Sequence, residues 1–321
     1  MGAMARVFVT RRIPGNALER LAAEHQVEVW EGRLQPSYAK LLEKAREVEG
    51  LLSLLTDRVD RGLISAAANL KAISNYAVGV DNVDVAAATE RGIPVGFTPD
   101  VLTEATADAT FALLLACARR VVAGDHIVRA GRWLTWEPTL LLGHDVHGKT
   151  LGIVGMGRIG SAVARRAEGF DMEVIHHSSS SGVPLDELLE RADFVSLHAP
   201  LTAGTRGMID EPQLRLMKPT AILINTSRGA LIDSGALTRA LAAGWIAGAA
   251  LDVSDPEPIP RGHPLLEAPN LILNPHIASA SIEARTAMAD LAVDNLLAGL
   301  AGEPMPKCVN GDAVAATRPA P

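Results

Sequence analysis

The chain has 321 residues, of which 48% are hydrophobic, 21% charged and only 3% aromatic, with a formal net charge of -7. That length exceeds the usual single-domain size and predicts about two domains, each burying its own core. The acidic balance, with no block of five or more Lys or Arg, excludes the electrostatic footprint of a nucleic-acid or anionic-membrane binder.

Short apolar runs alternate with helical patterns along most of the chain, the sign of βαβ units and parallel sheets. The start passes straight into a strand without the basic, hydrophobic and cleavage regions of a signal peptide, so a cytoplasmic location is expected. A first set of predicted strands comprises Arg6 to Thr10, Gln26 to Trp30, Gly50 to Leu55, Leu70 to Asn75 and Ile93 to Phe97, with helices such as Asn16 to Glu24 and Ser37 to Glu47 between them. An apolar helix, Thr103 to Val122, follows. Asp108, Arg119 and Arg120 interrupt its hydrophobicity, so it reads as a buried helix and no membrane span is expected. Cys117 lies inside that run, far from Cys308, and no Cys or His cluster has ligand spacing; neither a disulfide nor a metal site is expected. The less regular segment Gly131 to Gly143 carries two of the four tryptophans. It is either a loop packed on its own domain or a subunit interface, and the cost of exposing so much apolar surface favours the interface.

A second set of strands comprises Thr150 to Val154, Glu173 to His176, Phe194 to Leu197, Ala221 to Asn225, Gly248 to Val253 and Leu271 to Leu273. A helix over Ser281 to Leu300, with Ala287, Leu291 and Leu296 as its apolar face, returns the chain to the first domain, and the Ala-, Pro- and Thr-rich tail after Asn310 is expected to fray. The predicted architecture is α/β: two Rossmann-like or flavodoxin-like domains with parallel sheets, residues 100–282 inserted into a discontinuous domain of residues 1–99 and 283–321. The inserted domain includes an arm at about 120–147, and the cleft is expected to close on its ligands.

The run Gly155-Met-Gly-Arg-Ile-Gly160 follows the strand Thr150 to Val154 and opens a helix. A lone G-x-G-x-x-G also marks ordinary turns, but this context points to a dinucleotide. Gly155 permits the tight turn, Gly157 lets backbone approach a pyrophosphate, and Gly160 lets helix pack on strand. A carboxylate at the end of the next strand would hold an adenosine ribose and repel a 2′-phosphate; Ser178, within His176-His-Ser-Ser-Ser-Ser181, stands there instead. Neutral hydroxyls admit NADP without enforcing it, because no Arg or Lys lies in this loop and Arg158, His176 or His177 would have to supply counter-charge. The alternative is a solvated Ser-rich loop that touches no nucleotide.

Three further stretches put polar residues after strands of the second set: Asn225-Thr-Ser-Arg-Gly229, Leu251 to Pro258, and Asn274-Pro-His-Ile-Ala-Ser279. Singly, an Arg at a strand end is as readily a surface ion pair, and a lone His after Pro as readily structural. Together they suit carbonyl reduction. Negative charge builds on the carbonyl oxygen as hydride arrives, so His276 would donate a proton, Glu257 would fix and charge its ring, and Arg228 would hold a 2-keto carboxylate.

With those motifs, Ser196-Leu-His-Ala-Pro-Leu-Thr202 and Leu251-Asp-Val253, the chain resembles the D-isomer-specific 2-hydroxyacid dehydrogenase family over nearly its whole length. Within it the resemblance is to glyoxylate/hydroxypyruvate reductases, through Leu54 to Val59, Asn75 to Asp84, Thr98 to Thr103 and Gly244 to Ala249. It implies Arg228, Glu257 and His276 as catalytic residues. It implies that substrate is met by Leu54, the N–H groups of Val78 and Gly79, Arg228 and Ser279. It further implies a cofactor site of Thr106, Gly155, Met156, Gly157, Arg158, Ile159 and Gly160, then His177, Ser178 and Ser179, then His198, Ala199, Pro200 and Thr205, then Thr226, Ser227, Arg228, Asp252, His276 and Ala278. A homodimer built on the 120–147 arm is implied, with an arm tryptophan as a candidate to reach the partner's active site. Ser254 departs from the aromatic of many relatives, and the loop after Ser181 lacks the basic residues of NADP-preferring ones. The expected reaction is reduction of glyoxylate to glycolate and of hydroxypyruvate to D-glycerate, with NADP(H) favoured and NAD(H) possible. Alternatives are a D-lactate or D-phosphoglycerate type of dehydrogenase, or a dinucleotide-sensing co-repressor on the same fold; no cation in the Tyr76 to Asp84 loop favours a phosphate-bearing substrate.

Overall fold

The computed structural model describes residues 4–317 and divides into two compact units, Met1–Leu102 with Ser281–Pro321, and Thr103–Ala280. The first unit runs β1 (Arg6–Val9), α1 (Ala17–Glu24), β2 (Gln26–Val29), α2 (Tyr38–Ala45), β3 (Gly50–Leu54), α3 (Arg61–Ala66), β4 (Ala72–Tyr76), α4 (Val85–Glu90) and β5 (Val95–Gly96). Its strands form one parallel sheet in the order β2-β1-β3-β4-β5. The central strands are buried along their length, as parallel strands covered on both faces must be. Phe8, Leu51, Leu63, Ile64 and Ile73 form the core of one layer. Ser37, Asp60 and Asp84 cap α2, α3 and α4 by accepting hydrogen bonds from the backbone N–H three residues on, which fixes where those helices begin.

The second unit begins with α5 (Thr103–Ala118) and α6 (Val121–Arg129), continues through β6 (Thr150–Val154), α7 (Arg158–Glu168), β7 (Glu173–His177), α8 (Leu185–Arg191), β8 (Phe194–Leu197), α9 (Glu211–Leu216), β9 (Ile222–Asn225), α10 (Ser234–Ala243) and β10 (Gly248–Leu251), and ends with β11 (Leu271–Leu273). Six parallel strands follow the order β11-β10-β9-β8-β6-β7. From β6 the chain steps to β7 on one side and then to β8 on the other, so the sheet has a topological switch point between β6 and β8. Helix α5 packs on β9, β10 and α7 and is buried on most sides, which explains its apolar run. No helix among the described residues is long and apolar enough to cross a membrane.

The chain returns to the first unit through α11 (Ile282–Ala301), capped by Ser281, and α12 (Gly311–Thr317). Helix α11 lies against β4 and β3, where the Ser74 hydroxyl donates to the Ala292 carbonyl at 2.7 Å.

The structure corrects four expectations. The helix predicted over 103–122 is two, because Arg120 adopts a left-handed conformation (φ 56°) that breaks the axis, and the Ala118 carbonyl accepts instead from the His144 N–H. The buried face of α11 is Ala284, Met288, Ala292 and Leu296; Ala287 and Leu291 stand half-buried beside it. The strand predicted over 93–97 shrinks to Val95–Gly96, since Phe97 turns away to bond the Lys307 carbonyl. The tail expected to fray after Asn310 forms α12 through Thr317: buried Asn310 accepts from the Val95 N–H and donates to the Ile93 carbonyl and Thr89 hydroxyl, anchoring the chain where composition alone suggested slack. The rest of that tail, Arg318 to Pro321, lies outside the described residues.

Candidate active site

The glycine run sits at the switch point of the second unit. Gly155 has φ 99° and its N–H donates to the His177 carbonyl, tying the turn to the end of β7. A Cβ at Gly155 would stand 2.6 Å from the Ala199 nitrogen, and one at Gly160 would stand 2.2 Å from the Gly155 carbonyl oxygen, so neither position tolerates a side chain. Gly157 differs: a Cβ there would meet nothing within 4 Å. It is the N-cap of α7 and brings no side chain to cap the helix, and the space beside it stays open. A helix N-terminus without a side-chain cap, beside a cradle that a side chain would fill, fits the pyrophosphate of a dinucleotide. Met156 and Ile159 flank the turn half-buried, and Arg158 is exposed at the start of α7.

Across the switch point, His198 hydrogen-bonds Ser196 through Nε2 at 2.8 Å, and burial pushes its pKa down to about 4, so the ring is neutral at physiological pH. The Ala199 carbonyl accepts from the Ser227 hydroxyl at 2.7 Å, and the Pro200 carbonyl accepts from the Thr205 hydroxyl at 2.7 Å. The Thr226 and Thr110 hydroxyls meet at 2.9 Å, and Thr106 is buried one turn earlier, its carbonyl accepting from the Thr110 hydroxyl. These contacts bind the loop after β8, the loop after β9 and α5 into one wall.

Strand β7 ends at His177, one residue later than predicted, and the serine loop folds back on itself. The Ser178 hydroxyl reaches the Ser181 carbonyl and hydroxyl at 3.1 and 2.9 Å and accepts from the Ser181 N–H. Ser179 is exposed at the tip. Gly182 (φ 91°) closes the loop, where a Cβ would lie 2.0 Å from the His176 carbonyl oxygen. The His177 ring contacts the Val183 carbonyl through Nδ1 at 2.9 Å. The position after the strand is therefore a small, neutral, hydroxyl-lined turn.

The polar constellation comes from the loops after β9, β10 and β11. Arg228 follows β9, and its backbone is held because the Asn225 side chain donates to the Arg228 carbonyl at 2.8 Å. His276 and Glu257, nineteen residues apart, meet with Nδ1 and Oε1 2.6 Å apart. His276 itself has φ 56°, a conformation that costs a non-glycine residue energy and persists only where its neighbours fix it. Asp252 does this. Buried at the end of β10, it accepts from the Ile277 and Ala278 N–H groups at 2.8 and 2.7 Å through its two carboxylate oxygens, while its carbonyl accepts from the His276 N–H. Asp252, expected beside the cofactor, thus also holds the His276 turn through both carboxylate oxygens. Ser279 is half-buried just beyond. No group of three or more His, Cys, Asp or Glu among the described residues could hold a metal ion.

In the first unit, Leu54 ends β3 half-buried, and Val78 and Gly79 follow β4, both half-buried. The Asn75 and Asn82 side chains hold these loops, and no chemical pattern in the sequence marks them as more than loop polarity. In the 121–142 arm, Leu134 is 90% exposed and Trp136 77%, with Val121, Val122, Val128, Trp133 and Leu142 also exposed, and α6 buries no residue at all.

A doubly wound parallel sheet with a glycine turn at its switch point, and a His–Glu pair with an arginine beyond the carboxyl ends of its strands, defines a dinucleotide-dependent oxidoreductase. Residues 111–278 match the family model "D-isomer specific 2-hydroxyacid dehydrogenase, NAD binding domain". A glyoxylate reductase of Korarchaeum cryptofilum is 51% identical over 96% of this chain and 97% of its own length. One from Thermococcus litoralis is 49% identical over 98% and 99%. Among solved structures, a Thermus thermophilus protein superposes with a TM-score of 0.91 at 51% identity, covering 95% of this chain and 99% of that one. An NADPH-dependent glyoxylate/hydroxypyruvate reductase of Sinorhizobium meliloti, in complex with NADP and malonate, gives 0.85 at 36%, covering 96% and 97%. The chain belongs to the D-isomer-specific 2-hydroxyacid dehydrogenase family, with a glyoxylate-reductase-like sequence, and uses a nicotinamide dinucleotide.

Proposed function

We propose that this protein reduces small 2-keto acids, glyoxylate to glycolate and hydroxypyruvate to D-glycerate, with NADPH favoured over NADH. The observation that carries the reading is the 2.6 Å contact between His276 and Glu257 on a turn fixed by Asp252. When bound at the Gly155–Gly160 turn, a reduced nicotinamide supplies the hydride. His276 gives its Nε2 proton to the oxygen of the carbonyl as negative charge builds there, and Glu257 stabilises the imidazolium before transfer. Arg228 holds the substrate carboxylate and polarises the adjacent carbonyl, with Ser279, three residues after His276, completing the polar lining. In the first unit, the N–H groups of Val78 and Gly79 are proposed carboxylate donors, and Leu54 is proposed to limit substrate size.

Support for NADPH comes from the neutral turn at Ser178 and from the S. meliloti relative, whose structure holds NADP. We assign the cytoplasm as its location. The exposed apolar residues of the arm support a homodimer, since a surface with Leu134 and Trp136 so open would be costly alone. Sedimentation of the wild type and of Leu134→Asp should give a dimer and a monomer; a monomeric wild type would refute that part.

The central test follows nicotinamide absorbance with glyoxylate, hydroxypyruvate and each cofactor. Turnover with both substrates and higher kcat/KM for NADPH is expected, and His276→Ala should lower kcat about a hundredfold to ten-thousandfold. No oxidation with any small 2-keto acid would sink the enzyme reading and leave the sensor alternative; full activity in His276→Ala would sink the mechanism alone.

A further inference from the structure

Two asparagines of the first unit form a closed hydrogen-bond circuit whose outward bonds end on β3 and on the loops after β3 and β4. Buried Asn75 accepts from the Ser53 hydroxyl at 3.0 Å and donates its two amide protons to the Gly79 carbonyl and to Asn82 Oδ1, each at 3.0 Å. Asn82 donates in turn to the Leu54 carbonyl at 3.0 Å and to the Asp57 carbonyl at 2.9 Å. The Leu54 N–H is taken by the Asp57 carboxylate at 2.8 Å, and that carboxylate also accepts from the Thr10 hydroxyl. Both main-chain polar groups of Leu54 are thus held by side chains. The Gly79 carbonyl is held by Asn75, the partner of the side chain that holds Leu54.

Amides whose every proton is used favour one geometry: Asn75 is buried and Asn82 half-buried, and losing their bonds leaves the Gly79 and Asp57 carbonyls without these side-chain partners, while the Leu54 carbonyl keeps only the Asp57 N–H. A circuit serving only stability could have stopped at the strand-to-strand bond between Ser53 and Asn75. This one spans the two loops that carry Leu54, Val78 and Gly79. We infer that Asn82, acting with Asn75, is a positioning residue that clamps the loop bearing Leu54 to the loop bearing Val78 and Gly79, and so sets the size of substrate accepted. The inference rests on the substrate reading proposed above. It adds that selectivity for the smallest 2-keto acid is set by the circuit behind the pocket as well as by the leucine lining it.

Full-length Asn82→Ser, Ser53→Ala, Leu54→Ala and the Leu54→Ala/Asn82→Ser double variant are assayed for kcat/KM with glyoxylate and with the bulkier 2-ketobutyrate, and NADPH affinity is titrated separately. Asn82→Ser, whose shorter side chain cannot reach both carbonyls, is expected to lower the preference for glyoxylate about tenfold, through KM, with NADPH affinity unchanged. Leu54→Ala should give a shift of similar size, and the double variant no more than either, since both act through one wall. Ser53→Ala removes only the donor to Asn75 and should shift the ratio about twofold the same way, which keeps the test open if Asn82→Ser does not fold. Unchanged ratios in the folded circuit variants, or additive shifts in the double variant, overturn the clamp while a response to Leu54→Ala leaves the substrate reading intact. An unchanged ratio in Leu54→Ala overturns that reading and the clamp with it.

Discussion

The two units share a strand order, with the second strand outermost, the first beside it, and the third onward on the other side. Each therefore has a switch point, yet the two are furnished differently. After β1 the chain continues as Thr10-Arg-Arg-Ile-Pro-Gly15; the Thr10 hydroxyl is bonded to buried Asp57, and Ile13 packs inward. After β6 it continues as Gly155-Met-Gly-Arg-Ile-Gly160, in which Gly157 borders open space. Topology supplies the crevice in both; the side chains at the first turn decide whether it is filled from within or left for a phosphate.

The contrast can be broken most directly by filling the second crevice. Gly157→Val places a side chain where nothing now stands within 4 Å, so the fold should survive while NADPH binding weakens about a hundredfold or more. Fluorescence titration beside a thermal melt checks this; unchanged affinity would mean the turn does not hold the cofactor. A smaller effect tests the neighbouring loop. Ser178→Asp introduces the carboxylate that the end of β7 lacks, and the ratio of kcat/KM for NADPH to that for NADH should fall about tenfold. A constant ratio would show that this loop does not meet the adenosine ribose.

The smallest effect contrasts the buried titratable groups of the two units. Burial holds the His198 pKa at about 4, below its unfolded value near 6.5, so the stability linked to it is complete above that value and is lost as pH falls towards 4. Burial raises the Asp57 pKa, which has the opposite sign: the cost of its charge is relieved as pH falls. Between pH 7 and pH 5, His198 should cost the second unit about 1 to 2 kcal/mol, allowing for its partial exposure. Urea denaturation of wild type and His198→Gln at both pH values checks it, with the variant expected to lose less; equal losses would refute the assignment.

Much of this was legible beforehand because it is local. Period and punctuation marked the strands β6, β8 and β11 at their observed limits, and the glycine turn announced itself by following one strand and opening one helix. The Arg228, Glu257 and His276 stretches stood out because each followed a strand of one sheet. Ends that depend on distant partners were not legible: Arg120 breaks a helix that its apolar run would continue, and Asn310 anchors a tail that its composition would release.

By itself the sequence determined the alternation of strand and helix, the family and the glycine turn that follows β6, since spacing and residue type carry those patterns. Tertiary structure alone decided that Asp252 spends both carboxylate oxygens on the His276 turn, that Ser178 bonds Ser181 across a closed loop, and that Asn75 and Asn82 link two loops. The first and last depend on polar groups that lose water together, and the serine loop on how the chain turns after β7, all of it fixed only when the sheets have formed.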